Sequence, residues 1–279
     1  MNKRFFKPLS SLITISAVVL LLTACGGGGD GGGSSSTNTS TSNPAPVTFT
    51  GGTNRGILNG VALGSGTKLT EDTVKTVSVT TSFLGYFSVG PAYLSRSGFS
   101  FHWIIPITNY GPPRCGIQLL SISFKDSSGA LLFSEDQFVA GSTSVNSSGI
   151  PFCLATGEKG YALGISLAFN ADPVNRVTIS GIDEGFAPTG MPTESWKPLR
   201  YDIVSANSFM VTIQNTSSVL AGTGSSHWYI LFDSTGKPLT WGFLDNAVSS
   251  VVPGGTAILV EDGYSYEGLA SSMEVFIHN

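Results

Sequence analysis

After residue 47 no window holds an apolar 3.6-residue period long enough to build a helix. Apolar residues come instead in alternation or in short runs, cut at close intervals by Gly, Pro, Asn and Ser. Alternation puts apolar side chains on one face of an extended chain, and the turn residues reverse that chain within a few residues. Strands are expected over 47–49, 74–79, 83–87, 99–107, 117–124, 131–133, 161–169 and 177–182. A later group is expected over 201–204, 209–213, 228–232, 257–260 and 273–277. Only 11% of the 279 residues are charged, while 41% are hydrophobic and 35 are Gly. A typical soluble chain is about one quarter charged, so sheet surfaces and turns suit this composition better than a helical bundle does. The fold class read from this pattern is all-β, an antiparallel β-sandwich.

The chain also repeats itself. Ile105-Pro106-Ile107-Thr108-Asn109 is followed by Asp126-Ser127-Ser128-Gly129 and Leu131. Val211-Thr212-Ile213-Gln214-Asn215 is followed by Asp233-Ser234-Thr235-Gly236 and Leu239. From Asn to the turn Gly is 20 residues in one copy and 21 in the other. In each copy a strand ends at Asn, a loop follows, and a second strand runs into a hairpin. There Asp and Ser or Thr satisfy the turn backbone, and Gly supplies the positive φ. In the second copy Val252-Pro253-Gly254-Gly255 then precedes another strand.

This order resembles the small immunoglobulin-like domains of bacterial envelope proteins. The resemblance covers 205–279 and, with insertions such as 142–148, 99–185. It implies immunoglobulin-like sandwiches, two in tandem, that serve as binding or spacer modules. Three prolines and two glycines between 183 and 198 suit a connection, so the expected domains are 47–187 and 199–279, joined by a linker over 188–198. One continuous larger sandwich with Trp196 in its seam is the other partition.

The first residues follow a different logic. Lys3, Arg4 and Lys7 precede an apolar stretch over 9–22. At about 14 residues this stretch is shorter than the roughly 20 needed for a permanent span, and it reads as a secretory signal. Leu22-Thr23-Ala24-Cys25 resembles the lipobox of bacterial lipoproteins. That resemblance implies a signal peptide over 1–24, a diacylglyceryl group on the Cys25 thiol and an acylated amine, palmitate included. Two or three acyl chains hold a membrane far more firmly than one. Gly26, where retention in the inner membrane would favour Asp, points to the cell outer membrane, with the body facing the periplasm or the outside. Residues 26–46, GGGGDGGGSSSTNTSTSNPAP, cannot bury apolar area and read with Cys25 as a tether of roughly 25 Å mean span.

Without the leader, 11 basic side chains face 18 acidic ones, and no Lys/Arg cluster remains, so nucleic acid is excluded as a partner. Cys115 and Cys153, 38 apart, form an even pair in an oxidising compartment and read as one disulfide. No Cys-x-x-Cys pair is present for redox work.

His102, His227 and His278 stand at no zinc-ligand spacing, and no Gly-x-Ser-x-Gly elbow occurs. The paired carboxylates Glu71-Asp72, Glu135-Asp136, Asp183-Glu184 and Glu261-Asp262 are adjacent residues, and neighbours on a strand point to opposite faces. Glu261-Asp262-Gly263 ends a strand but lacks the regular oxygen ligands of a calcium loop. No catalytic residue, metal or cofactor is therefore expected.

Aromatic side chains are the better ligand contacts. Trp103, Trp196, Trp228 and Trp241, with Tyr264 and Tyr266 in a late loop, could stack on sugar rings or anchor a protein; a Trp in a sandwich ordinarily belongs to the core, and Trp241 and Tyr266 are favoured because they border turns. The expected function is a noncatalytic binding or structural module. Its partners would be the membrane, through Cys25, and an envelope protein or polysaccharide. Carbohydrate binding or adhesion through exposed aromatics is the alternative. A glycan or peptide hydrolase ranks behind both.

Overall fold

The computed structural model describes residues 54–278, except 65–66, 69–73, 83, 98–99, 142–152, 167–171, 188–194, 206–207, 225 and 263–265. The lipobox with Cys25, the tether, the strand expected at 47–49, Glu71-Asp72 and Tyr264 lie outside the described residues.

In chain order the strands are β1 (Arg55–Gly64), β2 (Thr67–Lys68), β3 (Lys75–Val77), β4 (Val79–Thr81), β5 (Phe87–Val89), β6 (Ala92–Ser97) and β7 (Ser100–Asn109). Then come β8 (Arg114–Cys115), β9 (Gln118–Lys125), β10 (Leu131–Ala140), β11 (Cys153–Leu154), β12 (Lys159–Ser166) and β13 (Arg176–Asp183). The last are β14 (Trp196–Ser205), β15 (Ser208–Asn215), β16 (Ser226–Phe232), β17 (Pro238–Asp245), β18 (Thr256–Asp262) and β19 (Tyr266–Phe276). Among the described residues there is no helix. The all-β reading therefore holds, and pairing is antiparallel except for β4 on β13 and β2 on β19.

Two large sheets carry the molecule. One runs β3-β6-β7-β12-β10-β9-β13-β4, and the other β1-β19-β16-β17-β18-β15-β14. Each is nearly cut in the middle. β10 and β12 share two register pairs, Val139 with Ala162 and Ala140 with Tyr161, and β17 meets β18 only at Asp245 and Val260. At these seams each sheet turns back over itself and encloses its own core.

The first core holds Trp103, Ile105 and Ile107 from β7 against Leu119, Ile122 and Phe124 from β9 and Val177 and Ile179 from β13. The second holds Phe209, Val211 and Ile213 from β15 against Tyr229, Leu231, Met273 and Val275. Every second residue of β15 is buried from Phe209 to Asn215, as period-two burial requires. A third cluster joins the sheets, with Ile104, Tyr161 and Leu163 on one side and Ile230, Phe232, Trp241 and Phe276 on the other.

The internal repeat is structural. β7, β9, β10, β12 and β13 occupy the same places in their sheet as β15, β16, β17, β18 and β19 in theirs, with equivalent pairings. The sequence partition assigned 47–187 to one body and 199–279 to another. β1 departs from it: Arg55–Gly64 pairs with β19 in the C-terminal sheet, from Arg55 opposite Phe276 to Gly64 opposite Glu267. Of the expected linker, 188–194 lies outside the described residues, and Trp196–Pro198 already belongs to β14. Residues 44–279 cluster as one compact unit.

Candidate functional site

Both copies are organised at one end around a buried Asn. Asn109 Nδ2 donates to the carbonyls of Pro112 (3.0 Å) and Leu154 (3.1 Å), and its Oδ1 accepts from Gly111 N–H at 2.9 Å. Its backbone N–H donates to Glu158, and its carbonyl accepts from Gly157. Asn215 repeats the pattern: Nδ2 donates to Val219 and Val251, both at 2.8 Å, and Oδ1 accepts from Ser217 N–H at 2.9 Å. Each amide fixes two loops to the strand it ends, and no hydrophobic side chain could substitute for it.

On the N-terminal copy this end carries a disulfide, which joins Cys115 to Cys153 as the sequence reading expected. The cystine is buried, and β8 and β11 pair directly through these residues. Cys115 also exchanges two backbone hydrogen bonds with Phe186, at 2.9 and 3.0 Å, which brings in the segment after β13. A further hydrogen bond, 2.8 Å from Tyr110 N–H to the Tyr86 carbonyl, adds the turn before β5. Thr156 Oγ1 donates to the Gly111 carbonyl at 2.8 Å.

On this stapled base three rings face solvent: Tyr86 (58% exposed), Tyr110 (65%) and Phe186 (39%). The Tyr86 ring lies on the backbone of Gly111, where a Cβ would approach ring carbons at 2.5 Å, so glycine is required there. Arg114 and Glu184 approach to 3.7 Å between the same loops. Loops tied by backbone bonds lose little backbone freedom on binding, and an aromatic side chain has only two χ angles to fix, which is how such contacts gain affinity.

The residues expected to touch ligand fare differently. Trp241 is not a surface residue: it is 3% exposed, and its indole N–H donates to the Gly164 carbonyl at 3.1 Å in the layer between the two sheets. Its strand position faces the other sheet, and proximity to a turn does not override that alternation. Tyr266 opens β19, and Tyr264 falls outside the described residues. Trp103 and Trp196 are fully buried and Trp228 is half-buried. The signal for Tyr86, Tyr110 and Phe186 was available only as aromatics beside Gly and Pro, a pattern that many buried rings share.

The histidines serve the interior. His102 is buried, its Nδ1 bonded to the Trp241 carbonyl at 3.0 Å, and burial lowers its pKa. Burial pushes His227 down to about 4, and its Nδ1 accepts from His278 N–H at 2.9 Å. Glu261 moves the other way, pushed up to about 8 by burial first and then by the carboxylates of Asp245 and Asp262. Asp262 accepts a hydrogen bond from Ser208 Oγ. Among the described residues no group of three His, Cys, Asp or Glu side chains is placed to hold a metal ion.

One charged cluster lies beside the loop end. Arg55 is bonded to Glu274, reaches Glu158 at 3.3 Å and donates to the Lys159 carbonyl at 2.6 Å. Its guanidinium stacks over Phe276 (4.9 Å) and Tyr161 (5.7 Å). Burial alone would lower its pKa, but the hydrogen bond and charge of Glu274 raise it and keep it ionised. Glu158 also accepts from Ala155 N–H at 2.7 Å. The cluster clips β1 and β19 of one sheet to the start of β12 in the other.

No protein-family model matches the chain, and no curated protein matches it either. Among solved structures, one described as "A Structural Element that Modulates Proton-Coupled Electron Transfer in Oxalate Decarboxylase" shares 10% identity over 77% of this chain and 78% of that chain. Its TM-score of 0.19 carries no argument about fold or chemistry.

Proposed function

We propose that this chain is a lipid-anchored protein of the cell envelope whose folded part is a noncatalytic binding module. In this reading the body is a tandem of two immunoglobulin-like sandwiches, held at the outer membrane through acyl chains on Cys25. The observation that carries the binding role is the set of rings Tyr86, Tyr110 and Phe186, kept open to solvent on loops stapled by Cys115–Cys153. Other rings such as Phe138 and Phe243 are also exposed, but Tyr86, Tyr110 and Phe186 come from loops tied to one another, and the two tyrosines combine an apolar ring with a polar tip. The motif Leu22-Thr23-Ala24-Cys25 supports the anchor.

Two measurements test the reading. The intact mass of the native protein is expected to correspond to a chain beginning at acylated Cys25, and Cys25→Ser is expected to move the protein out of the membrane fraction. A native protein still carrying residues 1–24 without acyl chains overturns the anchor. For the binding face, a photoreactive phenylalanine analogue at Tyr110 is expected to give adducts in intact cells, whereas the same analogue at Leu131 gives none. Equal labelling at both positions overturns the assignment of the face.

A further inference from the structure

The two Asn-centred ends point the same way, and the described chain begins between them. Asn54 accepts a hydrogen bond from Trp196 N–H at 3.0 Å, and Trp196 stands opposite Asn215 in the β14–β15 register. The next residue, Arg55, reaches Glu158 and Lys159, which border the Asn109 hub. The polypeptide leading from Cys25 therefore joins the body at the end that carries the loops of both copies.

That end is apolar in both copies. The N-terminal copy presents Tyr86, Tyr110 and Phe186; the C-terminal copy presents Val219, Leu220 and Val252 on the loops fixed by Asn215. Basic and acidic side chains are balanced around it, Arg55, Arg114 and Lys159 against Glu158, Glu184 and Glu274. Exposed apolar residues at the far end, such as Leu131, Ile203 and Val204, are aliphatic and lie away from Asn54.

We propose that this end of the body rests on the surface of the bilayer to which Cys25 is anchored, with the two tyrosines and Phe186 at headgroup depth. The proposal depends on the lipid-anchor reading above and takes the lipid surface as what the binding face formed by these rings contacts. Tyr is enriched where one part of a side chain must be apolar and its tip wet, which describes the headgroup layer. Asn54 stands 29 positions after Cys25, and the tether that the sequence implies over 26–46 has a mean span of roughly 25 Å, so the loop end is within reach of the membrane. A tether of that length raises the effective concentration of the surface to the millimolar range, and contacts too weak to bind lipid alone become populated. The acyl chains hold the protein, and the loop tips orient it. In that orientation the far ends, with the hairpins at Asp126 and Asp233, point away from the lipid.

Hydroxyl-radical footprinting of the acylated full-length protein in phosphatidylcholine vesicles tests this. The comparison state is the same protein released by cutting a protease site placed within 34–43. Oxidation of Tyr86, Tyr110, Phe186 and Leu220 is expected to fall by roughly threefold or more on the vesicle, with Leu131 and Ile203 unchanged. Equal oxidation in the two states, or protection of Leu131 and Ile203 instead, overturns the proposal. If the protein does not attach to vesicles at all, the anchor reading fails with it; attachment without protection sinks only the orientation. The double variant Tyr86→Ser, Tyr110→Ser is expected to stay attached while losing protection at Phe186. Protection that appears only when soluble peptidoglycan fragments are added, in the absence of lipid, overturns the bilayer as occupant.

Discussion

The two copies fasten equivalent loops by different means. Cys115 stands six residues beyond Asn109, and Ala221 stands six beyond Asn215. Cys115 pairs with Cys153, and Ala221 forms an isolated bridge with Val251, through the same kind of antiparallel contact. Where the N-terminal copy has a covalent bond, the C-terminal copy has two backbone hydrogen bonds at the bridge, of 2.8 and 3.1 Å, and further bonds between Thr223 and Val248. The Asn hub is common to both. The hub therefore defines the loop geometry, while the disulfide adds resistance to opening in the copy that carries the exposed rings.

The largest expected effect breaks this comparison from one side. Replacing both Cys115 and Cys153 by Ala is expected to cost about 4 kcal/mol for a loop of this length. The loss should show in denaturant unfolding and as faster hydrogen exchange in 109–116 and 153–158, with 215–222 unchanged. Uniform acceleration in both copies would mean that the staple serves the whole body. The converse substitution, Ala221→Cys with Val251→Cys, is expected to form a second disulfide, read by thiol titration of the folded protein. Two free thiols there would show that the bridges are not equivalent.

Next in size, Asn215→Ala leaves the Ser217 N–H without its acceptor and takes one of two donors from each of the carbonyls of Val219 and Val251, at an expected cost of about 2 kcal/mol. Asn109→Ala should cost less, because the cystine still holds its loops. The order of the two melting temperatures decides the point.

A smaller effect separates the copies by pH. Glu261, on β18, has a folded pKa raised to about 8 by burial and by Asp245 and Asp262. The residue at the equivalent register place in the other copy is Gly164, opposite Trp103 as Glu261 is opposite Phe209. A raised carboxyl pKa means stability that is fully present below the ordinary value of 4.5 and is lost as pH rises through about 8. The protein should therefore unfold at lower denaturant at pH 9 than at pH 5, and Glu261→Gln should flatten that dependence. An unchanged slope in the variant would remove Glu261 as its source.

The smallest effect should be the same in both copies. Asp126 is held below its ordinary pKa by the Ser128 hydroxyl and by backbone N–H groups; at Asp233 the bonds from Thr235 and Lys237 outweigh burial. Both depressions give stability that is lost as pH falls through the folded value. Asp126→Ala and Asp233→Ala should each soften acid unfolding slightly and to a similar degree, as judged by melting between pH 5 and 3.

Much of this fold was legible in the sequence because it rests on local rules. The period-two runs, the Asp-Ser-Ser-Gly and Asp-Ser-Thr-Gly hairpins and the Asn spacing each fix backbone geometry within a few residues, and Gly129 and Gly236 do adopt positive φ, 87° and 79°. The cysteine pairing followed from there being two thiols to join. The proposed binding face was not legible. Trp241 was favoured because it borders a turn, but its exposure depends on the layer between two sheets, a contact between residues as far apart as Gly164 and Trp241. Tyr86, Tyr110 and Phe186 come from three separate loops, and only the folded chain brings them together. The placement of β1 was hidden for the same reason, since nothing in 55–64 names a partner 200 residues away.

That strand has a consequence for biogenesis. Arg55 and Glu274, bonded across neighbouring strands, are 219 residues apart in the chain. A polypeptide made from its amino end must hold β1 unsatisfied until β19 has arrived, since loop closure over such a separation comes late. During that interval the sheet edge that β19 later covers is open to any extended segment nearby, a liability that exposed edges share. Folding of this chain thus favours a holding factor that shields the early strand, and its final act sews the first described strand to the last.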